Sequence, residues 1–125
     1  MTTIAREPGR HLGVRVGTGH CVALVRELAG LPPTAHWRRG MLVRDGDVPA
    51  GAAIATFDSD GRYGNHTDGR SHACILEAET TEGLEVVDQW MGQPCQRRTI
   101  RFKGGRGKPV DDGDAYHIIE LQEST

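Results

Sequence analysis

Three side chains in this sequence could together do nucleophilic chemistry: a cysteine at 21, a histidine at 72 and an aspartate at 88. Cys21 lies in GTGHCVALVRELAG (17–30), where a glycine-bracketed turn becomes an apolar helix. Val22, Leu24, Val25 and Leu28 keep helical spacing. Thr18 is the expected N-cap and Gly30 the expected stop, with Pro32 and Pro33 forbidding continuation. A thiol in the first turn of a helix sits at the positive end of the dipole, among N–H groups with no partner inside the helix. Both favour thiolate over thiol. The same N–H groups can hold the oxyanion that forms when a thiolate attacks a carbonyl. Position alone favours a small buried hydrophobe, so the catalytic reading needs a base and an orienter for that base.

Six histidines are available: His11, His20, His36, His66, His72 and His117. His72 opens the β-like run HACILE, where a rigid strand start would hold a base at the rim of a sheet. Period-two alternation puts His72, Cys74 and Leu76 on one face, which is expected to point toward the helix. His66 falls in a polar loop, His20 adjoins Cys21 on a neighbouring helical position that faces elsewhere, and His117 alternates with Ile119 as a structural residue. In LEVVDQW, Asp88 shares a face with Leu84 and Val86, and an inward acid needs a partner. In a hairpin, His72 and Asp88 would lie near each other at the open end. Gln89 is the alternate orienter, on the face of Glu85 that is expected to meet solvent.

The elements that must hold these groups are one helix and about five strands. After an irregular lead-in (1–13) and the helix, a loop carries His36 and Trp37, and VRDGDVPAG (43–51) is turn chemistry. Strand-like runs follow at 52–57, 72–77, 84–90, 97–102 and 115–121, with a polar loop at 59–71 and a hairpin turn between 77 and 84. KGGRGK (103–108) reads as a hairpin tip, without the strand–helix context of a phosphate loop. The fold class expected is α+β: one domain over 1–125, with the cysteine-bearing helix packed on an antiparallel sheet.

Composition excludes several classes. A chain of 125 residues with formal charge -2 has no overall basic footprint for nucleic acid, although Arg97, Arg98, Arg101, Lys103, Arg106 and Lys108 form a local basic stretch. Three cysteines with no CxxC spacing support neither a disulfide framework nor a zinc ribbon. A zinc site from His66, His72, Asp88 and Cys95 matches no closed module. No metal or organic cofactor is implied. No stretch approaches the ~20 apolar residues of a membrane span, and the N-terminus has no apolar core of a signal peptide. The expectation is a monomer made in the cytoplasm, with neither nucleic acid nor membrane as partner. Trp37 and Trp90, with His20, are candidates to line a groove.

The order of Cys at a helix start, His at a strand start and a polar residue ending the next strand resembles the papain-like cell-wall peptidases of the NlpC and CHAP type. The pieces GHCVALV, ATFDSDGRYGN, SHACIL and VVDQW also resemble a small bacterial family within that superfamily, over roughly residues 14–120. The resemblance implies a papain-like domain and a cysteine amidase or endopeptidase acting on peptidoglycan stem peptides. Cys21 would be its nucleophile, His72 its base and Asp88 its orienter. For a chain without a signal peptide, it implies another route to the periplasm or cell wall of a target cell, such as type VI secretion, with an immunity protein as partner. Two other readings use the same fold: a non-catalytic binding or immunity-type module, and a thiol acyltransferase.

Overall fold

The computed structural model describes residues 2–122. It contains one α-helix, α1 (Cys21–Ala29), and six strands: β1 (Trp37–Leu42), β2 (Ala53–Ala55), β3 (Ala73–Glu79), β4 (Gly83–Trp90), β5 (Gln93–Arg101) and β6 (His117–Leu121). The strands form one sheet in the order β1-β6-β2-β3-β4-β5, and each neighbouring pair is antiparallel.

The α+β class and the helix-on-sheet arrangement match the sequence expectation, but the sheet has six strands rather than five. The additional strand is β1, in the segment expected to be a loop around Trp37. Its sequence, WRRGML, has no alternation, because it is an edge strand whose inward anchor is Trp37 alone. A Cβ at Gly40 would come within 2.7 Å of the Ile118 carbonyl oxygen, so β1 can pair closely with β6 only with glycine there.

KGGRGK is not a hairpin tip. β5 and β6 are not neighbours, and the segment between them crosses from one edge of the sheet to the strand next to the opposite edge. The Asp112 carboxylate organises this crossing by accepting N–H bonds from Lys103, Gly105 and Asp114 at 2.8, 2.7 and 2.9 Å. The lead-in is mostly irregular, but Ile4 bridges Ala52, and the Ala5 N–H donates to the Gly51 oxygen.

Helix α1 starts later than the Thr18 expectation. Gly19 takes φ +90°, which prolongs the turn, and His20 becomes the N-cap residue. The Thr18 hydroxyl instead accepts the His20 N–H, at 3.4 Å. Gly30 ends the helix as expected, in the left-handed region at φ 69°, with its N–H on the Arg26 oxygen. Leu24 and Val25 are fully buried against the sheet, and each such burial contributes roughly 1.5–3 kcal/mol.

Both faces of the sheet are covered. On the helix side, Leu24, Val25 and Trp37 pack with Ala73, Ile75, Val87 and Ile119. On the other side, Cys74, Leu76, Leu84 and Val86 pack with Val43, Ile54, Ile100 and Tyr116. The Cys74/Leu76 face therefore points away from the helix, contrary to the sequence expectation. The run ACIL is apolar at every position because β3 is buried on both sides, and such a run carries no inward–outward signal.

Candidate active site

Cys21 is the first residue of α1, the helix that packs on β3 and β4. Its N–H has no hydrogen-bond partner among the described residues, as expected for a helix N-terminus. His72 immediately precedes the β3 ladder. Its backbone is clamped to the buried Thr56: the His72 N–H donates to Thr56 Oγ1 at 3.0 Å, and the Thr56 N–H donates to the His72 oxygen at 3.0 Å. The Thr56 hydroxyl in turn donates to the Arg70 oxygen.

The β3–β4 register pairs Ile75 with Val87. Continued outward, it makes Asp88 a diagonal neighbour of His72 on the same face. His72 Nε2 and Asp88 Oδ2 are 2.8 Å apart, with the carboxylate fully buried. Arg98 Nε donates to the same oxygen at 2.7 Å, and Gln96 Nε2 reaches Oδ1 at 3.4 Å. With Nε2 committed to Asp88, Nδ1 is the ring nitrogen left for the thiol.

Electrostatics separate the three cysteines. Burial alone would raise the Cys21 thiol, but the hydrogen bond and charge of His72, with smaller help from the Ala73 N–H and the Tyr63 hydroxyl, hold it below its ordinary value. Burial would lower His72, but hydrogen bonds to Asp88 and Cys21 carry it up to about 9. Burial would raise Asp88, and His72 and Arg98 together keep it below the ordinary carboxylate range. The Cys21 and His72 shifts both act in the direction of thiolate beside imidazolium. Cys74 is pushed well above its ordinary value by burial, and Cys95 is also raised.

Iodoacetamide is therefore expected to label Cys21 selectively at neutral pH, with a reaction midpoint below that of free cysteine. Peptide mapping after a pulse of reagent checks this. Equal labelling of all three cysteines would contradict it.

Tyr63, within DGRYGN, is a site residue that carries no chemical signal in the sequence. Its hydroxyl lies 3.6 Å from Cys21 Sγ. Burial holds its ionisation far above the ordinary range, so against a thiolate it donates. Its ring stacks at a tilt on Trp37, centroids 5.1 Å apart. Trp37 itself is fully buried, with its Nε1–H on the Pro32 oxygen. It supports Tyr63 and does not line the groove.

The cleft over the thiol has a volume of about 620 Å³, and His20, Cys21, Tyr63, His66, His72 and Trp90 are among its lining residues. His20 and Trp90 thus lie where the groove reading placed them. Trp90 meets the His72 ring edge-on at 6.3 Å and takes the Arg98 guanidinium at 5.0 Å. His66 is ordered rather than free in its loop, with Nε2 2.8 Å from Asp58 Oδ2. His117 lies on β6, half-buried. No group of metal-binding residues occurs among the described residues, and none of their helices is long and apolar enough to cross a membrane.

Gln89 does not orient His72. It is fully buried on the opposite face of β4, where its amide bonds to the backbone of Val16 and His20. The expectation that this face meets solvent fails because the strand is covered on both sides, and Glu85 is exposed only near the turn.

The sequence matches the family model described as Domesticated amidase effector 2 over residues 2–119. The chain belongs to this amidase effector family. Among curated members, it is 41% identical over 114 residues to "Domesticated amidase effector 2" of Ixodes scapularis, covering 86% of this chain and 75% of that protein. It is 29% identical over 120 residues to "Type VI secretion amidase effector 2 protein" of Salmonella typhi, covering 85% and 89%. A solved structure titled "Type 6 secretion amidase effector 2 (Tae2)" superposes with a TM-score of 0.80 at 26% identity, covering 96% of this amidase effector chain and 95% of its own.

Proposed function

We propose that this amidase effector is a papain-like cysteine hydrolase, related to the NlpC and CHAP types, that cuts amide bonds in peptidoglycan stem peptides. One observation carries the reading: of three thiols, only Cys21 is held below its ordinary pKa, beside an imidazole whose far nitrogen is tied to a buried carboxylate. In this mechanism the Cys21 thiolate attacks the amide carbonyl carbon, and the carbonyl oxygen takes up the negative charge. The His72 imidazolium gives its proton to the leaving amine as the C–N bond breaks, leaving a thioester on Cys21. Neutral His72 then removes a proton from water, whose oxygen attacks the thioester, and the thiolate leaves. Asp88 holds the ring and stabilises its charged form throughout.

Peptidoglycan as substrate is supported by the family resemblance and by relatives named as amidase effectors of type VI secretion. That route would carry the chain to the periplasm or wall of a target cell, and an immunity protein would then be its natural partner. A cleft of about 620 Å³ accommodates a short peptide segment. Incubation with purified peptidoglycan, followed by labelling of newly freed amino groups, tests the reading. Time-dependent release is expected, and no release at any pH between the thiol and imidazole ionisations would contradict it.

A further inference from the structure

We propose that Gln89 is a positioning residue that aims the Cys21 backbone N–H at the oxygen of the reacting carbonyl. The proposal rests on the cysteine-hydrolase reading above. The Gln89 side chain is fully buried, and its hydrogen bonds all go to the loop ahead of the thiol. Its Oε1 accepts the Val16 N–H at 3.0 Å, and its Nε2 donates to the Val16 and His20 oxygens, each at 2.9 Å. Both amide hydrogens are thereby used.

The loop needs such a clamp. Gly17 and Gly19 stand at φ +57° and +90°, and glycine supplies these angles without supplying stiffness. His20 is the N-cap residue, and the peptide plane that joins it to Cys21 carries both the His20 oxygen and the Cys21 N–H. Across a trans peptide these two groups point in opposite directions, and there is no cis peptide bond among the described residues. Fixing the oxygen on Gln89 therefore fixes the direction of the N–H, which faces away from β4. That N–H has no partner among the described residues. It belongs to the residue that bears the thiol, where a donor to a developing oxyanion must lie. The His20 oxygen also takes the Ala23 N–H at 3.1 Å and, as the N-cap carbonyl, the first hydrogen bond of the helix, so Gln89 restrains the plane from the β4 side while the first turn of α1 restrains it from the other.

Strand alternation gives the arrangement its economy. Consecutive residues at the end of β4 leave on opposite faces, Asp88 to the imidazole and Gln89 to the loop. One strand end thus sets the spacing between the base and the oxyanion donor.

The test uses Gln89→Met, of similar length without hydrogen-bonding groups, and Gln89→Glu, of similar shape with acceptors facing the two carbonyls. With purified stem peptides as substrate, kcat is expected to fall about 100-fold in each, the usual cost of a lost oxyanion donor, while KM changes little. Inhibition by a peptide aldehyde, whose thiohemiacetal carries an oxyanion, should weaken by a similar factor. In Gln89→Met, the rate and pH midpoint of Cys21 alkylation by iodoacetamide should stay at wild-type values, because alkylation at a saturated carbon develops no oxyanion. Wild-type kcat in both variants would overturn the proposal. So would a parallel loss of alkylation and hydrolysis, which marks a structural role only.

Should neither variant fold, the amide resonance of Cys21 in the wild type decides. It is expected to move downfield when the aldehyde adduct forms, and an unmoved resonance overturns the proposal. A wild type that neither hydrolyses the peptides nor forms the adduct overturns the hydrolase reading and this proposal with it. An active wild type beside fully active variants overturns the role of Gln89 alone.

Discussion

Replacing Cys21 with alanine is expected to lower hydrolysis of stem peptides by about 10⁴-fold or more while leaving the fold intact. The size follows from removing a nucleophile whose partners act only through it. The fold should survive because the Cys21 side chain is small and lies at the edge of the helix-side core, where Leu24 and Val25 supply the packing. Cys21→Ser is expected to be nearly as inactive. An imidazole that ionises a thiol does not ionise a serine hydroxyl, which is intrinsically far less acidic. Turnover of purified stem peptides, measured beside thermal unfolding, checks both variants. A Cys21→Ala protein that keeps more than a few per cent of activity would remove Cys21 from the chemistry.

Asp88→Asn is expected to cost about 100-fold in activity, within the range attributed to general acid–base catalysis, and to narrow the pH profile from both sides. Asp88 supports the rise of His72 to about 9. Without the carboxylate, the imidazolium loses its proton at lower pH, which brings the alkaline limb down. A less charged imidazole holds the thiolate less firmly, which moves the acid limb up. Stability should follow the same linkage. The contribution of His72, whose folded pKa is raised, is complete below its ordinary value of 6.5 and is lost as pH rises through about 9. That of Asp88, whose folded pKa is lowered, is present above the ordinary value of 3.8 and is lost as pH falls. The His72 contribution should therefore fall between pH 6.5 and 9, against an opposing gain from the lowered Cys21 thiol, and the Asn variant, which keeps only the Cys21 share of the His72 shift, should show a smaller fall. An Asn variant with the wild-type pH profile would contradict the role of the carboxylate.

Cys21, His72 and Asp88 stand out in the sequence because each is at the start or end of an element, where a side chain is rigid and reachable, and the hydrogen bond between His72 and Asp88 follows from that placement. Which face each element presents was not legible. ACIL in β3 is apolar on both sides, so alternation could not say which side held the helix. His72 shares the cleft with the thiol because it precedes the ladder, not because its strand face packs on α1. The same double cover hid Gln89, a polar residue fully buried on the face expected to be wet. Strand β1 was hidden by its edge position, where two arginines and a glycine carry no period. Tyr63 gave no signal of its own, since its approach to Cys21 depends on the ring stack with Trp37, far away in sequence. The turn ahead of α1 runs two residues past Thr18, because a glycine at positive φ extends a turn that a threonine hydroxyl would otherwise have ended.

The central claim is that Cys21 carries the hydrolysis of an amide in peptidoglycan. Digestion of purified peptidoglycan in heavy-oxygen water by wild type and by Cys21→Ala, followed by mass spectrometry of the soluble fragments, tests it most directly. The account predicts wild-type fragments with a newly freed amine and a new carboxyl group carrying one heavy oxygen, and none from Cys21→Ala. Intact peptidoglycan after wild-type treatment, the same fragments from Cys21→Ala, or peptides newly joined without heavy oxygen would contradict it.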